Sequence, residues 1–318
     1  MSTRHRFALC LALACGCSFR RLTADSTADL LHASSPQFNT LEDLEFAEAA
    51  APANLVTMEA VWRVAPDNED VLVELVQGYG AYGYAFLEDS MERARAADNE
   101  ADEARWRARA QAAYRRGRQF GLTLLGVRVS TEGGAEAVLR QGLPAWRAYL
   151  QRFRDKEDVP ALFWTANAMA SLVGVSLDDA TALLDLPFAL SLAERARALD
   201  PDFARGSVHA FFGVYLASMP ESLGGRPAEA RAHFESALAT SSRRMLTWQV
   251  MYARLYAVQV QDRALYERLL REVIDAPDDV LPEERLANLV AKRRARRYLD
   301  DIDTVFAPAE TDATTEAR

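Results

Sequence analysis

The stretch that most constrains this chain is residues 188–238, FALSLAERARALDPDFARGSVHAFFGVYLASMPESLGGRPAEARAHFESAL. It reads as a helix, an Asp200-Pro201 turn, a second helix, a Gly-Gly-Arg-Pro break and a third helix. Ala189, Ala193, Ala196 and Pro201 stand at offsets 0, 4, 7 and 12, and Ala230, Phe234, Ala237 and Ser242 repeat the offsets. Small residues on one helical face let an antiparallel helix approach closely. Proline ends the helix because it lacks an N–H and pushes the residue before it out of the α region. The second copy has Ser242 where the first has Pro201, so the repeat is partial.

This spacing is that of the second helix of a tetratricopeptide unit. A first-helix spacing also occurs, with Leu72, Leu75, Val76 and Tyr79 at 6, 9, 10 and 13 residues beyond Pro66. Ala, Leu and Arg, all strong helix formers, are frequent, and Val/Ile/Thr alternation is nearly absent. The expected fold is all-α, with helix-turn-helix units resembling tetratricopeptide repeats stacked into a compact superhelical bundle over residues 39–306.

Residues 1–17, MSTRHRFALCLALACGC, set Arg4 and Arg6 before an apolar run too short to span a bilayer, the layout of a signal peptide. Small residues precede the final cysteines, as in a bacterial lipobox. Cys17 is the expected lipidation site and Cys15 the alternative; a cleaved signal without lipid is the plainer reading. All three cysteines lie in this segment, which leaves the body without a disulfide or a cysteine metal site. Ser18 after Cys17 favours the outer over the inner membrane. Residues 18–38 read as a tether with at most one turn, and 307–318 as a disordered tail. The net charge of −9 argues against a nucleic-acid surface.

Between these ends, 41–64 read as two helices meeting near Pro52, and 98–112 as an exposed loop entering a helix. Asp158 is placed to cap a buried helix that starts at Pro160. Gly78, Gly80 and Gly83 within one helix call for a close helix crossing or a cavity wall, against the alternative of a locally weak helix. Aromatic or polar groups inside otherwise apolar helices are the candidate cavity lining: Tyr79, Tyr82, Phe86, Trp164, Asn167, His209, Tyr252, Asn288, Lys292 and Arg293. For Trp164 and Asn167 the competing reading is a packed core. For Arg293, Arg294, Arg296 and Arg297 it is a solvated face answered by Asp300, Asp301 and Asp303. No phosphate loop, dinucleotide fingerprint, nucleophile elbow or zinc-binding His pair is present, so neither catalytic residues nor a cofactor are assigned.

Six segments, taken together and in order, resemble one family: YGAYGYAFLED (79–89), DVPALFWTANA (158–168), LDPDFARGSVHAFFGVY (199–215), LGGRPAEARAHFESAL (223–238), VQDRALYERL (260–269) and LANLVAKRRAR (286–296). The family is the T component of tripartite ATP-independent periplasmic (TRAP) transporters, called TatT. The resemblance covers residues 40–306. It implies a periplasm-facing lipoprotein, held to the membrane through its lipid alone, that forms a homotrimer with a channel through each protomer. It also implies a partner, the transporter's substrate-binding protein, and passage of a small organic or hydrophobic ligand. The rival expectation is an envelope scaffold lipoprotein that binds no small molecule.

Overall fold

The structure is a computed structural model describing residues 3–219 and 225–306, with side chains from Arg20 onward. The side chains of Cys15 and Cys17 and the expected tail 307–318 lie outside the described residues. Every regular element among the described residues is helical, as the composition implies. The chain divides into two compact units, ending at Pro201 and starting at Asp202.

In the first unit α1 spans Thr3–Asn39, so the segment expected to be a tether is helical. It packs on α2 (Leu44–Val64) and α3 (Glu69–Tyr82). Large apolar groups are scarce here, but Ala24 and Ala28, one turn apart, are buried and permit a close approach. Polar pairs hold the rest. Asn68 donates to Asp25 at 3.0 Å, and buried Glu74 sits 2.8 Å from His32 Nδ1 and accepts from Ser35 Oγ at 2.5 Å. α2 is a single helix with Pro52 inside it rather than two helices, because a proline interrupts one backbone bond while its alanine-rich flanks stay helical.

Asn68 caps α3 by accepting from Val71 N at 3.1 Å, and Leu72, Leu75 and Val76 are buried. The helix passes through a π-helical segment, Gly83–Glu88, into α4 (Asp89–Ala96). A wider turn of this kind re-aims the side chains beyond it. The connection to α5 (Glu100–Arg128) takes three residues, 97–99. The polar run expected as a loop is therefore mostly helix. Asn99 caps it by accepting from Asp102 N at 3.1 Å, and Glu100, Asp102 and Glu103 favour the positive end of the helix dipole.

α6 (Gly134–Arg140) and α7 (Leu143–Leu150) follow, then the buried helix α8 (Val159–Gly174), the short α9 (Ala180–Leu183) and α10 (Leu186–Leu199). Asp158 does not cap α8 forward. Its carboxylate accepts from Arg154 N at 2.7 Å, Asp155 N at 3.0 Å and Arg128 Nε at 2.8 Å. α8 packs against α3, α5 and α10, and Ala189, Ala193 and Ala196 of α10 are fully buried, as the spacing requires.

The second unit holds α11 (Phe203–Ser218), α12 (Pro227–Thr240), α13 (Leu246–Met251), a second π-helical segment (Tyr252–Ala257), α14 (Arg263–Asp275), α15 (Arg285–Asp300) and α16 (Ile302–Val305). Ala230, Phe234 and Ala237 of α12 are also fully buried. Where the first copy of the pattern stops at Pro201, α12 turns through left-handed Ser242 and Arg243. Arg243 N closes that turn on Leu238 O at 2.8 Å. Arg294 is buried and Arg293 half-buried, so the arginine cluster of α15 is not a uniformly solvated face.

Candidate functional site

The ten candidate lining residues fall into two sets, one in each unit. In the first unit, α3, α5 and α8 meet through their smallest residues. A Cβ on Gly83 would lie 2.6 Å from the Tyr114 ring, and one on Gly121 would lie 2.5 Å from Thr165 Oγ1. The glycine-rich stretch running from α3 into the π-helical segment thus marks a close helix crossing. Nearby, a Cβ on Gly80 would stand 3.7 Å from Asn167 Nδ2. Asn167 is half-buried and makes no hydrogen bond to a described residue. Trp164 is half-buried one turn away, edge-on to Phe163 at 5.0 Å.

Tyr82 and Phe86 flank the start of the first π-helical segment with their rings 6.1 Å apart. Phe86 is buried, and the Tyr82 hydroxyl accepts from Arg109 at 3.0 Å. Tyr79 lies nearly parallel to Phe120 at 6.0 Å and donates to Glu59 at 2.5 Å. Arg116 binds both oxygens of Glu59 and lies over Phe120. Burial pushes the Glu59 carboxyl up, but the hydrogen bonds from Arg116 and Tyr79 outweigh it and hold the group below the usual range. Burial, reinforced by the Glu59 carboxylate, pushes the Tyr79 phenol up to about 12. Tyr79 is therefore a structural anchor, tied to α2 through Glu59.

In the second unit His209 and His233 meet with their Nδ1 atoms 3.1 Å apart, and His233 stacks on Phe212 at 5.3 Å. Tyr252 is buried against Phe234 at 4.9 Å and donates to Glu235 at 3.0 Å. Burial and the nearby Glu235 carboxylate push its phenol well above the usual range.

Asn288 and Lys292, although buried, are committed to the fold. Asn288 accepts from Leu246 N at 2.9 Å, at the start of α13, and donates to Arg244 O at 2.9 Å. Lys292 donates to Ala276 O and Asp278. Arg293 is half-buried on α15.

The sequence reading missed Glu59, Arg116, Arg109, Glu235 and His233. Each lies 17–57 positions from its partner, so only tertiary packing reveals it. Of the two histidines, His233 stands on α12, which the small-residue pattern marks for close packing, and His209 on α11, which that pattern does not reach.

A family model described as TRAP transporter T-component matches residues 40–306. A protein of Treponema pallidum (strain Nichols), described as an uncharacterized protein, is 23% identical over 304 residues, covering 91% of this chain and 93% of that one.

Proposed function

This chain belongs to the TRAP transporter T-component family, and on that premise we propose that it acts as the lipid-anchored accessory component of a tripartite ATP-independent periplasmic uptake system. In this reading the lipid is carried by Cys17, or by Cys15 if cleavage falls two residues earlier. The body faces the periplasm, with the outer membrane favoured. Among the described residues no helix is long and apolar enough to cross a membrane, which suits anchoring by lipid. α1 is docked from Ala24, seven residues past Cys17. Even fully extended, that link reaches about 25 Å, so the body sits close to the bilayer.

The partner in this reading is the transporter's substrate-binding protein, met by a homotrimer of this chain. The ligand is a small organic or hydrophobic molecule. The family match over residues 40–306 carries the proposal. The half-buried Asn167 amide supports the ligand: an apolar wall with few, specific polar groups is how small-molecule sites are built.

Titration calorimetry of the mature chain against that binding protein, with native mass spectrometry of both, tests the reading. A saturable complex and a co-purified small mass are expected. No complex, and no bound mass on a gently purified protein, would overturn it. A complex with no small mass would favour the scaffold reading, which the structural commitments of Asn288 and Lys292 also fit.

A further inference from the structure

The fold of the second unit brings together two histidines that stand 24 positions apart and share no sequence motif. His209 lies on α11 and His233 on α12, both half-buried and so within reach of solvent. Their Nδ1 atoms are 3.1 Å apart and their rings are inclined by 42°. The contact is attractive only while at least one of the two Nδ1 atoms carries no proton; the other imidazole then donates its Nδ1–H to that lone pair. Two ring nitrogens turned toward each other in this way are also a chelating pair, in which a metal ion takes the place of the shared proton. Imidazole nitrogen stands about 2.0–2.1 Å from zinc, so two of them 3.1 Å apart would meet one ion at an angle of about 100°. That lies between the right angle of an octahedral site and the wider tetrahedral angle, and a small rotation of each ring suits either.

The two helices are locked together on both sides of the pair. A Cβ on Gly206, before His209, would lie 3.0 Å from Ala237 Cα, and one on Gly213, beyond it, would lie 3.0 Å from the Phe234 ring. α11 and α12 therefore cannot slide or part without losing close packing. Phe212 stacks on His233 with the ring planes 26° apart, which fixes the plane of that imidazole. Ligands held by packing give up little freedom when an ion arrives. The donor type selects the ion: imidazole nitrogen suits zinc, copper and nickel, whereas magnesium and calcium call for oxygen. Among the described residues no third His, Asp or Glu completes a cluster, so the remaining coordination positions fall to water or to a donor from solution. We propose that His209 and His233 form an open, two-histidine site for a divalent transition-metal ion of the Zn2+ type.

The test uses the mature chain from Ser18 without an affinity tag, which has no cysteine and keeps only His32, His209 and His233 as imidazoles. Calorimetry with zinc chloride should show one ion per chain, and magnesium chloride should show none. His209→Asn and His233→Gln each keep a polar side chain in place. Each should weaken zinc binding by about 100-fold or more, because two-point attachment becomes single-point attachment. His32→Gln should bind zinc as the wild type does. Zinc should raise the melting temperature of the wild type and leave both site variants unmoved. Circular dichroism without metal checks that the variants fold. The Cu2+ form of the wild type should show two coupled nitrogens by electron paramagnetic resonance, a readout that needs no variant. No saturable zinc binding, equal binding of magnesium, zinc binding that survives both site variants, or a Cu2+ spectrum without two nitrogens would overturn the proposal and leave the pair as an interhelical hydrogen bond. None of these outcomes bears on whether the chain binds the transporter's substrate-binding protein, so the two readings fail separately.

Discussion

A few residues hold the first unit together by contacts that tolerate little change. Tyr114 is fully buried, and its ring occupies the space where a Gly83 side chain would begin. Gly83→Ala should therefore destabilise by about 1–3 kcal/mol, the usual range for overpacking, measured by urea unfolding. The same change at Gly80, where the Asn167 amide stands at ordinary contact distance, should be tolerated. The Glu59–Tyr79–Arg116 group and Asp158 contribute to the response to pH. Both carboxyls titrate below their ordinary range in the folded chain. The unfolded state then binds more protons as pH falls below ~4, and the stability these groups contribute above that point is lost on going further down. Asp158→Asn should be less stable at neutral pH by about 1–3 kcal/mol, and the gap to the wild type should close as pH drops through that window. Tyr79 has the opposite sign. Its raised phenol contributes stability that is intact below ~10 and is lost as pH climbs toward about 12. The stability difference between wild type and Tyr79→Phe should shrink over that interval.

At the scale of the element, spacing rules succeeded where the pattern itself carries the physics. The alanines of α10 and the Ala-Phe-Ala set of α12 are as fully buried as a small-residue crossing requires. The buried character of α8 was equally legible. Two of the failures share one cause, which is that a polar composition was read as a lack of structure. Residues 20–39 contain few large apolar groups, yet two alanines and a set of polar pairs with Asn68 and Glu74 dock them. Residues 100–112 are charged all round but start with a cap and a favourable dipole end, so they form a helix. The docking of α1 has a measurable consequence. Ala28→Arg puts an unpaired cation at a position with no exposure, and it should lower the melting temperature by several degrees. It should also raise amide exchange in residues 20–39 without altering exchange in the second unit.

For the molecule as a whole, the class of protein was more legible than its site. Helical periodicity and the ordered run of six segments lead to the family that the match over residues 40–306 establishes. The candidate lining was chosen by one criterion, a polar or aromatic group inside an apolar helix. That criterion cannot separate a group turned toward a ligand from one bonded to distant backbone. Asn167 and Asn288 both meet it; one amide makes no bond to a described residue, and the other joins Arg244 to Leu246. The pair therefore makes a controlled comparison. Asn288→Leu strips an acceptor from the start of α13 and leaves buried backbone groups unmet, so it should cost about 1–3 kcal/mol. Asn167→Leu removes an amide that no described residue uses, so stability should hold or rise. If the wall around Gly80 and Tyr82 meets the ligand, Asn167→Leu should also lose the small molecule that co-purifies with the wild type, read by native mass spectrometry. An Asn167→Leu protein that is destabilised yet keeps its bound mass would place the amide in the core and move the search for the ligand elsewhere in the molecule.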